Sequence, residues 1–485
     1  MNDKTNVVIK NFIWRFAERC GAQIVLFIVS IVLARILMPE DYGTIALVTV
    51  FTNILQVFVD SGLGTALIQK RDADDLDFSS VFFFNFVVCI IIYLGLFIVA
   101  PFIAHFYGND GLISIIRVIG LTIVVSGVKG IQQSYVSRNM IFKKFFFSTL
   151  GGTIISAILG IAMAYAGAGV WALVVQQLSN TIIDTVILWI TVKWRPKLQF
   201  SWNRLKGLLN YGWKLLVSEL LGTVYNNLRS LIIGKIYTSS DLAYYNQGDK
   251  FPNVIVSNVN VSIDSVLLPT ISSVQDDRNR VKEMTRRAMK TSVYIMAPLM
   301  MGLAFCATPI VRLVLTDKWL PCVPFLQVFC ITYMFFPIHT ANLNAIKALG
   351  RSDLFLKLEI AKKIVGLIVL FATMNISVMA MAYSLLIVSV LGQIINSWPN
   401  RKLLNYGYME QLKDILPGII IAVCMGAGVY CVSFIGFSDV LTLCIQIPLG
   451  MIIYILLSKV LKMESYVYLI DVLFGFINSK GNGDN

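Results

Sequence analysis

Charge is scarce in this chain. Asp, Glu, Lys and Arg make up 14% of its 485 residues, where an ordinary soluble domain carries about a quarter. No long polar stretch interrupts the apolar runs, so there is no material for a separate soluble domain. Histidine is nearly missing: His105 and His339 are the only two, far apart and in no H-E-x-x-H arrangement, which excludes that metal centre. We read both as packing or cavity-lining residues. The chain has no G-x-x-x-x-G-K-[ST] phosphate loop, which excludes an ATP motor within it. Its eight cysteines fall mostly inside apolar runs (Cys89, Cys306, Cys330, Cys424, Cys431 and Cys444), without metal-ligand spacing, and read as small packing residues. No cofactor, no metal and no enzymatic activity are expected. Lys4 and Lys10 precede the first apolar run with no small-residue cleavage site behind it, so an uncleaved first helix is expected.

What is there is apolar: 57% of the residues are hydrophobic. Runs of about 20 such residues recur along the whole length, and each can cross a ~30 Å hydrocarbon core as a helix. The expectation is an all-α polytopic membrane protein with about 14 spans. The seventh (211–236), eighth (242–269) and tenth (322–348) each carry titratable side chains within an apolar run. The eleventh (360–374) is crowded by Lys357, Lys362 and Lys363. Most of the 40 Lys and Arg residues fall on alternate connections: the N-terminus, Lys70-Arg71, Lys129 to Lys144, Lys193 to Lys214, Arg278 to Lys290, Lys347 to Lys363, and Arg401 onward. Those are the cytoplasmic connections by the positive-inside rule, which puts both termini in the cytoplasm. The net charge of +13 is then explained by anionic lipid, and no nucleic-acid partner is expected. The expected division is an N-lobe at 1–195 and an interfacial linker at 196–212, with Trp202 to Tyr211 lying flat as an elbow. A C-lobe at 213–400 comes next, and 401–485 supplies two more helices and a tail with an apolar patch at 466–477.

The chain repeats itself. Leu33-Ala34-Arg35-Ile36-Leu37 leads into an acidic turn at Pro39-Glu40-Asp41-Tyr42-Gly43, and about 200 residues later Ile233-Gly234-Lys235-Ile236-Tyr237 leads into Thr238-Ser239-Ser240-Asp241. Arg35 answers Lys235, and Asp41 answers Asp241. Further on, Asp60-Ser61 answers Asp264-Ser265, and Asp74-Asp75 answers Asp276-Asp277. A repeat with an even number of spans makes the two halves parallel, related by an axis along the membrane normal.

Ionisable residues inside the spans carry the functional signal, since each costs roughly 2.5–3.5 kcal/mol at the bilayer centre on insertion scales. They are Asp60 in the second span, Glu219 and Arg229 in the seventh, and Asp249, Lys250 and Asp264 in the eighth. Arg229 and Lys250 fall at similar depth. Either they form a substrate-anion site, or Arg229 pairs with Asp249 while Lys250 snorkels. Asp60 and Asp264 suit a gate or a coupling site, with Glu219 near. Arg35 and Lys235, at the outer ends of their spans, suit gating contacts or snorkelling equally well.

The runs "LARILMPEDYGTIALV" and "DSGLGTALIQKRDADD" resemble the opening of the polysaccharide transporter branch of the multidrug/oligosaccharidyl-lipid/polysaccharide (MOP) flippases, the Wzx and WzxC-type in particular. "IIGKIYTSSDLAYYNQGDKFPN", "LLPTISSVQDDRNR" and "ALGRSDLFLKL" resemble that family's second-half segments. The likeness covers nearly the whole chain. It implies two six-helix lobes around a central cavity lined by helices one, two, seven and eight, plus two C-terminal helices. It also implies a polyprenyl-diphosphate-linked oligosaccharide as substrate, carried from the inner to the outer leaflet of a bacterial inner membrane by alternating access. The implied partners are that substrate, membrane lipids and a coupling cation, proton or sodium. The second repeat departs from the first, with Ser239 at the place of Pro39 and Leu242-Ala243 at that of Tyr42-Gly43.

Two other readings compete. A cation-coupled exporter of drugs or small solutes has the same fold, but would be expected to offer carboxylates rather than cations. A membrane glycosyl polymerase or ligase would need a large outer loop with convergent Arg and His, and the sequence has none.

Overall fold

The computed structural model describes residues 2–60 and 62–471. Among them every regular element is a helix. They form two compact units that divide between Ala243 and Tyr244.

The first unit contains α1 (Asn2–Ile36), α2 (Pro39–Asp60), α3 (Leu63–Gln69), α4 (Asp75–Tyr107), α5 (Leu112–Arg138), α6 (Lys143–Tyr165), α7 (Val170–Thr191) and α8 (Trp202–Ile236). The boundary between the units falls inside α9 (Ser239–Ser272). The second unit continues with α10 (Arg278–Phe305), α11 (Ala307–Leu315), a 3-10 turn (Asp317–Cys322), α12 (Val323–Met334), α13 (Phe336–Ala348) and α14 (Ser352–Thr373). It ends with α15 (Val378–Leu403), α16 (Tyr408–Cys431) and α17 (Asp439–Val460).

Eleven segments among the described residues are long and apolar enough to cross a membrane. The expected spans outside that set coincide with α1, α8 and α14, helices of 35, 35 and 22 residues. Charge sets the last two apart from the rest: Lys214, Glu219 and Arg229 interrupt α8, and Lys357, Glu359, Lys362 and Lys363 interrupt α14.

The start of α4 shows how the connections are fixed. Asp74 caps the helix by accepting from the Asp77 N–H at 3.0 Å, and Asp77 accepts in turn from the Asp74 N–H at 3.2 Å, a reciprocal box that satisfies two orphan donors. Lys70 pairs with the fully buried Asp77 at 2.7 Å. Arg138, at the end of α5, donates to the carbonyls of Leu67 at 2.6 Å and Arg71 at 2.8 Å.

Onto this knot the segment between α7 and α8 is strapped. Trp194 is buried between Phe78 and Tyr135 and donates to Asp75 at 3.1 Å. The backbone N–H groups of Lys197 and Ser201 donate to Ser79 and Ser80 at 3.0 and 2.9 Å, and Arg204 reaches Asp74 at 2.6 Å. The expected flat elbow is not a separate element. Trp202 to Tyr211 forms the opening turns of α8, which runs unbroken to Ile236, because its N-terminus is held by α4.

In the second unit α10, α16 and α17 are joined by Arg286–Asp414 at 2.6 Å and by Tyr294 Oη donating to Ser458 at 2.7 Å. Residues 464–471 dock on α10 through Glu464–Lys290 at 2.8 Å and Tyr468 under Arg287. Part of the tail patch therefore rests on the bundle, and 472–477 lie outside the described residues.

Candidate functional site

The two copies of the repeated turn share two hydrogen bonds. After α1, the Leu37 N–H donates to the Leu33 carbonyl at 2.8 Å and the Met38 N–H to Asp41 at 3.1 Å. After α8, the Tyr237 N–H donates to Ile233 at 2.9 Å and the Thr238 N–H to Asp241 at 3.2 Å. The acidic residue at the start of α2 and of α9 therefore has one job, tying the turn to the next helix. The departure between the repeats also has a reason. A Cβ on Gly43 would lie 1.7 Å from the Ser239 carbonyl oxygen. The first turn can hold only glycine where the second copy packs against it, and no such demand falls on Ala243.

Arg35 is exposed in the last turn of α1, where a cation complements the helix dipole. Lys235, its repeat partner, sits 4.2 Å from the centre of the Phe106 ring and donates to the Phe106 carbonyl. It therefore also serves as a clasp between the C-terminal ends of α8 and α4.

Asp60 and Asp264 match in sequence but not in setting. Asp60 is the last residue of α2, before a break where Gly62 takes φ +61° and lies backbone to backbone against Gly212. Its carboxylate accepts from Gln56 at 3.2 Å. It borders a cavity of about 260 Å³, also lined by Asn85, Gln133, Ser134 and Ser137. Lys129 and Glu219 are close enough to act on it electrostatically, so two of the expected residues, Asp60 and Glu219, come together in the first unit. Lys129 is not a loop cation. It lies inside α5 and pairs with Asp184 of α7 at 3.0 Å. Asp264 sits within an unbroken α9, where the buried Asn344 of α13 donates to it at 2.8 Å. Ser61, at the break, lies outside the described residues.

Arg229, half-buried on α8, belongs to the first unit, and Lys250, half-buried on α9, belongs to the second. Asp249 is engaged within its own unit, by the Tyr333 hydroxyl of α12 and by Asn253 Nδ2 at 3.2 Å. His339 is also satisfied internally. Asn396 Nδ2 lies 3.0 Å from its Nδ1 and the Ser389 hydroxyl 3.4 Å from its Nε2.

The neutral partners Tyr333, Asn344 and Asn85 escape a reading of the sequence alone. Their only signal there is a polar side chain at a position shared with the charged ones.

Helices of spanning length, broken by a few paired or cavity-facing ionisable groups, define a polytopic α-helical membrane protein. A family model described as "Polysaccharide biosynthesis protein" matches residues 32–324, and the chain belongs to that family. Similar proteins include the succinoglycan biosynthesis transport protein ExoT of Rhizobium meliloti, 24% identical over 66% of this chain and 64% of its own length, just under two thirds. The teichuronic acid biosynthesis protein TuaB of Bacillus subtilis is 23% identical over 84% of this chain and 86% of its own. The lipopolysaccharide biosynthesis protein WzxC of Escherichia coli is 22% identical over 68% of each. Among solved structures, the lipid II flippase MurJ in an inward closed conformation is similar in fold, with a TM-score of 0.75 at 16% identity over 95% of this chain and 100% of that one. An inward-facing MATE-family multidrug transporter of the MOP superfamily gives 0.61 at 13% identity, over 79% and 94%.

Proposed function

We propose that this chain is a flippase for a polyprenyl-diphosphate-linked oligosaccharide, moving it from the cytoplasmic to the outer leaflet of a bacterial inner membrane by alternating access. Family membership and the transport and flippase names of similar proteins support the reading. The observation that carries it is Lys250. It is a half-buried ammonium in an apolar helix and makes no ion pair among the described residues, while its neighbour Asp249 is engaged by Tyr333 and Asn253. A cation left so in a span calls for water or an anion. A diphosphate offers several acceptor oxygens; Lys250 suits them as a point charge, and Arg229 is a candidate through paired hydrogen bonds. Asp60, Glu219, Asp264, Arg35 and Lys235 belong to gating or to coupling with a proton or sodium ion. An inside-negative potential of ~100 mV favours outward movement of each negative charge by about 2.3 kcal/mol, so the diphosphate can leave without a counter-ion.

The proposed architecture is two six-helix lobes, 1–195 and 213–400, joined by the linker at 196–212. Two further helices lie in 401–485, giving fourteen spans with both termini cytoplasmic.

In a strain lacking the gene, the plasmid-borne chain should restore surface glycan. Arg229→Ala should lower restoration by roughly two orders of magnitude, Arg229→Lys by less and Lys250→Ala by about tenfold, in line with 1.4 kcal/mol per tenfold for lost charge-assisted bonds. A double variant Arg229→Ala/Asp249→Ala that transports normally would make Arg229 a structural residue and end the anion-site reading.

A further inference from the structure

The second unit carries a face whose chemistry suits the sugar rather than the phosphate. Lys250, Asn253, Ser257, Asn260 and Asp264 recur on α9 at alternate spacings of three and four, so they line one side of the helix. Asn253, Ser257 and Asp264 are exposed, and Lys250 and Asn260 half-buried. Exposed amides and hydroxyls along a membrane span are tolerated where they meet water or a ligand, not acyl chains.

Both ends of this stripe are tied to the neighbouring helices. Tyr333 donates to Asp249 beside Lys250. Lower down, Thr340 donates to Asn260 at 3.4 Å and Asn344 to Asp264 at 2.8 Å. The register leaves Phe336, at the start of α13, level with Asn253 and Ser257. Its ring is 36% exposed and is held edge-on between Tyr333 at 5.2 Å and His339 at 5.8 Å. Asn253 donates to Asp249 and Ser257 to the Val254 carbonyl, which leaves the Asn253 Oδ1 and the Ser257 oxygen lone pairs open as acceptors.

An exposed aromatic face beside open amide and hydroxyl groups matches a pyranose. The C–H face of the sugar packs on the ring while its hydroxyl edge pairs with the polar groups. Asn253 and Ser257 lie about 4.5 and 10.5 Å along the helix axis from Lys250, at 1.5 Å per residue, which is the reach of the first two sugars from a phosphate held there.

We propose that Asn253, Ser257 and Phe336 form the subsite for the sugars nearest the diphosphate. The proposal rests on the flippase reading and on Lys250 meeting the phosphate. It makes this face the part of the chain that tells a loaded carrier from an empty one.

Binding to the purified full chain in lipid nanodiscs tests it. The probes are undecaprenyl diphosphate alone and the same carrier bearing one N-acetylglucosamine, glucose or galactose. At least one sugar-bearing carrier should bind about tenfold more tightly than the bare one, the change that about one net hydrogen bond to a sugar hydroxyl makes. Phe336→Leu, which keeps apolar volume without the ring, and Ser257→Ala should each remove most of that preference and leave the bare carrier's affinity unchanged. Lys250→Ala should weaken both. Equal binding of bare and sugar-bearing carriers, or a preference untouched in Phe336→Leu and Ser257→Ala, would overturn the sugar site and leave the flippase reading standing. Wild-type protein that binds neither carrier would overturn the reading itself, and the subsite with it.

Discussion

Lys129 and Asp184 are a charged pair inside the first unit, with side chains only 17% and 12% exposed. In such a place the desolvation of two ions roughly offsets their attraction, while a single survivor has no compensation. Lys129→Ala should therefore lower unfolding free energy in detergent by about 3–5 kcal/mol, and Asp184→Ala by a similar amount. A double replacement by Met and Leu should recover most of it. Additive losses in the double variant would mean that the two residues act separately. The pair also shows what can be read from the sequence at this scale. A lysine near a span's end reads as a cytoplasmic loop cation, and its partner Asp184, the one charged residue of α7, lies 55 residues away, where the sequence marks a costly charge but not what it pairs with. Asp60 and Asp264 stand out because charge in an apolar run is costly. Asn344, Asn85 and Tyr333 do not, because a neutral polar group costs less and leaves no comparable mark.

At the level of elements, the duplicated turn is legible because its hydrogen bonds use the side chain that recurs, Asp41 and then Asp241. The strap between α7 and α8 is not, since Trp194 and Arg204 work through α4, more than a hundred residues away in sequence. Aromatic and basic residues in a linker read equally well as a membrane-surface elbow. The strap has its own pH dependence. The Asp77 backbone N–H, and after it the Arg204 guanidinium, hold the Asp74 carboxyl below its usual range. A carboxyl whose pKa is depressed in the folded state contributes fully above its unfolded value, near 4. The contribution is lost as pH falls through the lower folded value. The gap in melting temperature between wild type and Asp74→Asn should thus be constant from pH 8 to about 5 and close below about pH 4. A gap that instead closes between pH 8 and 6 would assign the effect to another group.

For the whole molecule, α8, the polar helix that comes after the strap, is expected to cross the bilayer beside its neighbour. α4 is 33 residues of largely apolar sequence, about 50 Å at 1.5 Å per residue and ample for a ~30 Å core. α8 is pinned to α4 at both ends: Arg204 to Asp74 at the start of both helices, and Lys235 to the Phe106 carbonyl with Tyr107 Oη to the Leu231 carbonyl at their close. The two run side by side in the same direction, so whatever α4 crosses, α8 crosses with it. Its Glu219 and Arg229 must then face a polar interior rather than acyl chains. The Lys235 charge is taken up by the Phe106 carbonyl at the close of α4. The same sidedness is expected of α14, which packs along α15 between the basic segment from Lys347 and the uncharged turn at Asn375. Single cysteines at Gln199, Thr238, Gly350 and Asn375, probed in intact cells with a membrane-impermeant thiol reagent, test both helices. Thr238 and Asn375 should label from outside, while Gln199 and Gly350 should label only after the cells are opened. Labelling of Gln199 and Thr238 from the same side would mean that α8 does not cross, and the fourteen-span scheme would fall with it.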